Sequence, residues 1–297
     1  MVVVDAGVGD RLALAVVVQY RAATTEQVHL LTAPGVRIEQ TRRRLAKLRG
    51  EGLVDRVTLP QAGRTRVWFP TRYGVRVTSE WPELRGRRPA RAVSDRTAVR
   101  LKAAHALTVT ETGLSFVQDA RHHGDTCTPL DWIPEVHHAT GGGEAVIPDA
   151  LLFYRRGRSG GHWSMLRAFV EVDRATMGPE RLAAKLTAYA RLHEYVPQTG
   201  GRRQALQQMP GPQAWRRHYP LFPRLLFVLD GTGPAGITNR ITALRAAAKS
   251  TDVLVLRATP VLAAPLADLL QHGPSASVWH HIHPGYDGQQ VAWHHSA

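Results

Sequence analysis

One cysteine, Cys127, stands in 297 residues. That excludes an intramolecular disulfide and any Cys-rich zinc site, and it fits a reducing compartment, so the cytoplasm is the expected location. The chain also lacks an uninterrupted apolar run of the roughly 18 residues that a membrane span requires. Its opening, "MVVVDAGVGDRLALAVVVQY", is interrupted by Asp5, Asp10 and Arg11 and reads neither as a signal peptide nor as an anchor. No membrane partner is expected. Acidic residues are scarce: 24 Asp and Glu face 38 Lys and Arg, for a net charge of +14. The imbalance is concentrated, because Arg37 to Arg100 holds 17 Arg and Lys against 6 Asp and Glu. Charge gathered in this way points to a polyanionic partner, double-stranded DNA first and RNA second. No internal repeat is visible, and the length suits two ordinary domains.

What is present begins with three helical patterns and a hairpin. Asp10 to Tyr20 carries apolar residues at helical spacing. "TTEQVHLLT" opens a short helix with Thr24 as N-cap and Gln27 three positions on. After the "APG" break, "RIEQTRRRLAKLRGEG" places Ile38, Thr41, Leu45 and Leu48 on one stripe, with a basic outer face. "LVDRVTLP" and "RTRVWFPT" then read as two strands joined by a tight turn, and "RYGVRVTSEW" as a returning helix. Helix, helix, basic helix and hairpin are the order of a winged helix-turn-helix, assigned to residues 8–81. In that arrangement Arg37, Arg42, Arg43, Arg44 and Lys47 serve the helix that enters the major groove, and Arg64 and Arg66 reach DNA from the wing.

"PELRGRRPARAVSDR" is rich in Pro and Arg without periodicity, and residues 82–94 are read as a linker. Residues 95–290 then form a second domain. A long helical pattern ends at Gly124; strands are expected at "LDWIPEV", "AVIPDALLFYR" and "HWSMLRAFVEVDR", the last two as an antiparallel hairpin. "GPERLAAKLTAYARLHEYV" is a helix with Pro179 near its first turn. "RLLFVLD" and "DVLVLRA" read as strands, and "PAGITNRITALRAAAKS" and "TPVLAAPLADLLQ" as helices. Apolar strands alternating with helices imply an α/β domain with a mixed sheet.

Within "AFVEVDR" the apolar run gives way to Glu171 and Asp173, which share a strand face about 6 to 7 Å apart. Hairpin pairing brings Asp149 alongside Glu171. Carboxylates gathered on an apolar sheet repel unless a cation, a proton or a basic side chain neutralises them, and oxygen ligands suit magnesium or manganese. Pro148-Asp149 followed by Glu171-Val172-Asp173 resembles the core of the PD-(D/E)XK restriction-endonuclease-like superfamily, and "KLTAY", Lys185 to Tyr189, is similar to a helix motif of some of its members. Taken with the amino-terminal pattern, "AAHALTV" around His105 and "DWIPE" ending at Glu135, the chain resembles the replication-relaxation proteins of actinobacterial plasmids and integrative elements.

That resemblance implies a DNA-binding protein that nicks or cleaves DNA with Mg2+ or Mn2+ in replication or transfer. Asp149 and Glu171 would ligate the metal, Asp173 would assist or orient Arg174, Lys185 would be the charged catalyst, and Glu135 would be a further ligand. Host replication or transfer proteins and a second copy of the chain enter as further partners. Asp173 stands where the superfamily carries lysine. This departure leaves open a non-catalytic initiator or regulator built on the same fold. "VWHHIHPGY" holds the triplet His281-Ile282-His283 near Tyr286, a pattern that other nicking enzymes use to hold a metal; in a chain with 15 histidines such triplets arise readily by chance. "LDGTGPAG" lacks the lysine of a phosphate loop and reads as a strand-to-helix turn.

Overall fold

The computed structural model describes residues 8–59, 65–84, 96–157, 161–197, 211–286 and 288–295. The chain divides into two compact units, Met1–Pro134 and Glu135–Ala297.

The first unit begins with α1 (Val8–Tyr20), β1 (Ala23–Thr24), α2 (Thr25–Thr32) and α3 (Ile38–Gly50). Thr24 caps α2 as its spacing predicts: its hydroxyl accepts from Gln27 N–H while the Gln27 side chain accepts from Thr24 N–H. The stripe of α3 is buried at Thr41, Leu45 and Leu48, against Leu14, Val17 and Val28 of the first two helices. The hairpin follows as β2 (Val54–Leu59) and β3 (Thr65–Pro70), and with β1 it makes a three-stranded sheet in the order β1-β3-β2. Trp68 of β3 is buried and donates its indole N–H to Thr25 Oγ1 at 2.9 Å. Then comes α4 (Arg72–Ser79), which passes so close to the chain at Leu53 that a Cβ on Gly74 would lie 2.0 Å from the Leu53 carbonyl oxygen.

The long α5 (Arg96–His123) and a short β4 (Trp132–Pro134) complete this unit. Thr110 donates to the Ala22 carbonyl at 2.8 Å, Gln27 donates to the Leu107 carbonyl at 3.2 Å, and Arg121 donates to the carbonyls of Leu30 and Leu31. Val99 joins Val57, Val67 and Phe69 in one apolar cluster. Helix α5 is therefore packed as part of the first unit, whereas the sequence reading grouped it with the second domain. Of the expected linker, residues 85–94 lie outside the described residues.

The second unit contains β5 (His138–Gly141), β6 (Glu144–Val146), β7 (Ala150–Gly157), β8 (Trp163–Asp173), α6 (Pro179–Glu194), β9 (Arg224–Leu229), α7 (Pro234–Ala248), β10 (Val261–Pro265), α8 (Leu266–His272), β11 (Trp279–His281) and β12 (Gln290–Val291). Strands β5 and β6 pair by themselves, and six others run in the order β12-β11-β10-β9-β8-β7. β7 and β8 are antiparallel, β8, β9 and β10 are parallel, and β11 and β12 return antiparallel, so the sheet is mixed. The architecture is α/β, as the alternating strands and helices imply.

Two local expectations are corrected. The strand foreseen over "AVIPDALLFYR" is two strands, β6 and β7, interrupted at 147–149, where Pro148 offers no N–H to a ladder. The strand foreseen at "DVLVLRA" is instead a 3-10 segment, Thr251–Leu256, and the strand is β10, inside the stretch read as a helix. Short apolar runs carry no period that separates strand from helix, so only the pairing of Val261 with Leu225 and its successors decides it. Among the described residues no helix is long and apolar enough to cross a membrane.

Candidate functional site

Strand β8 lies inside the sheet, antiparallel to β7 on one side and parallel to β9 on the other. Side chains alternate across it, so Phe169, Glu171 and Asp173 share one face. Ala150 pairs with Val170, and one step further this register places Asp149 opposite Glu171, as the hairpin reading requires. The Asp149 carboxylate accepts the Val172 N–H at 2.7 Å, which ties the end of β7 to β8 at the level of Glu171.

Glu171 is 3% exposed. Helix α6 covers it and supplies two donors one turn apart: the Lys185 ammonium bonds one carboxylate oxygen, and Tyr189 O–H donates to the other at 2.7 Å. Tyr189 is itself held by stacking on Phe169, with ring centroids 5.5 Å apart. Burial pushes the Glu171 carboxyl up to about 7; Lys185 offsets this in part, and the negative charge of Asp149 adds to the rise. Burial pulls Lys185 down, but Glu171 and Asp149 outweigh it and raise its pKa, so the ammonium stays charged. Asp149, Glu171 and Lys185 therefore form one electrostatic unit at the point where β7, β8 and α6 meet.

Asp173 projects on the same face toward a different partner. It is 6% exposed and bonded to the guanidinium of Arg240 on α7, which also donates to the Met177 carbonyl at 2.9 Å. Its second oxygen accepts the Ala175 N–H at 3.2 Å. Arg174, its neighbour in sequence, lies 4.0 Å from Asp230 instead. The turn after β9 is pressed against this strand end: Gly231 has φ +73°, and a Cβ there would lie 2.4 Å from the Arg174 carbonyl oxygen. Arg240 was missed at the sequence level, although a signal existed: it sits among Ile237, Ile241 and Leu244 on the inward stripe of α7, where an arginine needs a partner. Glu135 is exposed, with φ +52°, and its N–H donates to the Asp149 carbonyl at 3.3 Å, which places its backbone beside that of Asp149.

Among the described residues no group of three or more His, Cys, Asp or Glu side chains is placed to hold a metal ion. The two carboxylates brought together where β7 and β8 pair are Asp149 and Glu171. His281 is buried and stacks on Tyr286 with centroids 4.1 Å apart, and His283 bonds the Thr259 carbonyl at 2.9 Å.

In the first unit, the outward side of α3 is lined by Gln40, Arg43, Ala46 and Lys47, opposite the buried stripe. Arg37 is exposed at its N-cap, and Arg42 is bridged to Glu39 at 3.2 Å. Arg44 and Lys47 both bond Asp10 of α1, at 2.9 and 2.7 Å. Burial opposes ionisation of Asp10, but the hydrogen bonds from Lys47 and Arg44 hold its carboxyl below the ordinary range. Arg66 is exposed on β3, opposite Thr58; Arg64 lies outside the described residues.

Comparison with curated proteins and with solved structures finds no match. A family model does match, that of replication-relaxation, over residues 14–205. This span takes in most of the first unit and, in the second, the strands and helix that carry Asp149, Glu171, Asp173 and Lys185. The chain belongs to the replication-relaxation family.

Proposed function

We propose that the protein binds double-stranded DNA of a plasmid or integrative element through its first unit and nicks or cleaves DNA with Mg2+ or Mn2+ at Asp149, Glu171 and Lys185. Family membership gives the setting, replication or transfer of such an element. The observation that carries the catalytic reading is the meeting of those three side chains, from two strands and a helix, at one place on the sheet.

The residues fit a hard divalent ion. Magnesium commonly takes one or two protein carboxylates and fills its remaining positions with water and phosphate oxygens, and Asp149 and Glu171 offer that set. Bound there, the ion would polarise the phosphate and activate a water. The chain's own contribution is positional and electrostatic: Val172 N–H and Tyr189 O–H orient the two carboxylates, and Lys185 supplies the positive charge that stabilises charge developing on the phosphate. Glu135, joined to Asp149 through the backbone, is a further oxygen donor at the rim.

For DNA binding, the order of α1, α2, α3 and the β2-β3 hairpin is that of a winged helix, with α3 entering the major groove. Arg43, exposed near the centre of its outward side, leads the contact, and Arg37, Arg42 and Arg66 flank it.

A second reading is favoured by a specific observation. Asp173, where the resemblance to the PD-(D/E)XK core would call for lysine, is neutralised by Arg240, and both Glu171 oxygens are engaged. On this reading the protein is a non-catalytic initiator or regulator. A nicking assay on supercoiled plasmid separates the two, run with magnesium, manganese or EDTA and with Asp149→Asn and Glu171→Gln beside the wild type. The catalytic reading expects metal-dependent relaxation that both substitutions abolish. Wild-type protein that binds its target and leaves it uncut establishes the second reading.

A further inference from the structure

Strand β9 pairs with β8 only from Ala168 onward, so residues 163–167 of β8 extend past the end of β9, paired to β7. On the face that carries Glu171, this arm presents Phe153 opposite Arg167, Arg155 opposite Met165, and Gly157 opposite Trp163. Trp163 is 54% exposed and Met165 46%, while most large apolar side chains of the unit are buried. A tryptophan left in water on a strand is an informative exposure. Opposite it, Gly157 has no side chain to cover the ring.

The arm is also one-sided in charge. From Ala150 to Val170 the sequence contains Arg155, Arg156, Arg158 and Arg167 and no Asp or Glu. Cations and rings interleave: the Arg155 guanidinium stands 5.8 Å from the Trp163 ring centroid, and that of Arg167 stands 5.6 Å from Phe153. Arg167 Nε is buried without a hydrogen-bond partner among the described residues. Phosphates complement this charge. A flat ring accessible from one side complements an unpaired base, because a base inside a duplex keeps its faces against its neighbours.

We propose that the β7–β8 arm is a binding platform for single-stranded DNA, with Trp163 stacking a base and Arg155 and Arg167 taking backbone phosphates. The platform shares a strand face with Glu171, and Arg167 is four residues from it, roughly 13 Å along the strand. It goes beyond the reading of the carboxylate site and does not depend on whether that site cuts.

The test uses full-length protein and fluorescence anisotropy with a labelled 15-nucleotide oligo-dT, an oligo-rU of equal length and a DNA duplex. Trp163→Ala is expected to weaken oligo-dT binding roughly 5- to 100-fold, with Trp163→Phe restoring most of it and duplex affinity changing less than about twofold. Arg155→Ala is expected to weaken oligo-dT binding and lower its salt slope. The proposal is overturned if Trp163→Ala leaves oligo-dT affinity unchanged, if it weakens duplex binding equally, or if only oligo-rU responds. A Trp163→Ala effect confined to self-association, measured by sedimentation, also overturns it and makes the arm a contact between copies of the chain. Asp149→Asn, measured in parallel, retains oligo-dT affinity if the platform is independent of the carboxylate site.

Discussion

At the scale of single residues, the second unit handles two buried carboxylates in two ways. Glu171 has a helix-borne cation and a phenol, and Asp173 has Arg240. The Asp173–Arg240 pair is the more enclosed of the two, with side chains 5% and 8% exposed. Removing one member of such a pair leaves the other charge buried and uncompensated. Arg240→Met is therefore expected to destabilise by about 3–5 kcal/mol, measured by urea unfolding, whereas Arg174→Met stays below about 1 kcal/mol. Equal effects would remove the assignment of Asp173 to Arg240. His138 makes a pH-dependent contribution. Burial lowers its pKa to about 4, with its ring nitrogens bonded to Tyr219 O–H at 2.8 Å and the Val136 carbonyl at 3.0 Å. The unfolded chain binds this proton near pH 6.5 and the native chain does not, so stability from this group is present above pH 6.5 and is lost as pH falls toward 4. His281, also lowered to about 4 by burial, adds a second such group. Stability measured between pH 4 and 6.5 should rise in the wild type, and His138→Gln should reduce that slope by about one proton. An unchanged slope would show that the imidazole is charged in the native state. The shared strand face of Glu171 and Asp173 and the i, i+4 spacing of Lys185 and Tyr189 were legible in the sequence, because both are local periodicities. Arg240 was not, because its partner is 67 residues away.

At the scale of elements, the basic helix α3 divides its charges between two tasks. Asp10 of α1 takes Arg44 and Lys47, and Glu39 takes Arg42, while Arg43 faces outward. Arg43→Ala should lower duplex affinity and reduce the salt slope of binding by about 1, as expected for the loss of one phosphate contact. Arg44→Ala should act mainly on stability, by about 1 kcal/mol, because its partner is on a neighbouring helix. If Arg44→Ala flattens the salt slope more than Arg43→Ala does, the outward face has been misassigned. The sequence showed the helix and its buried stripe; it could not show that an acid on α1 engages two of its cations. The same limit applies to β10, whose five residues pair in parallel with β9. A short apolar run is read as strand or helix only by its neighbours.

At the scale of the whole molecule, the division after Pro134 carries its own prediction. Helix α5 contributes Val99 to an apolar cluster of the first unit and exchanges hydrogen bonds with α2 and the residue before β1. A fragment of residues 1–134 should unfold cooperatively and retain duplex binding, whereas one of residues 1–84 should lose cooperativity; circular dichroism and anisotropy measure both. Cooperative unfolding of the shorter fragment would place the boundary at the Pro- and Arg-rich stretch after all. By itself the sequence determined the α/β class, most helices and strands, the basic character of the first unit and the presence of Asp149, Glu171 and Lys185 on elements able to meet. These follow from patterns spanning a few residues, set by helical and strand periods and by caps. The tertiary structure alone decided which cation neutralises Asp173, which arginines of α3 are engaged by acids, where β10 lies and to which unit α5 belongs. Each of these depends on contacts between segments distant in the chain, and burial, by making an unpaired charge or an uncovered apolar face unfavourable, selects those contacts only once the elements are packed.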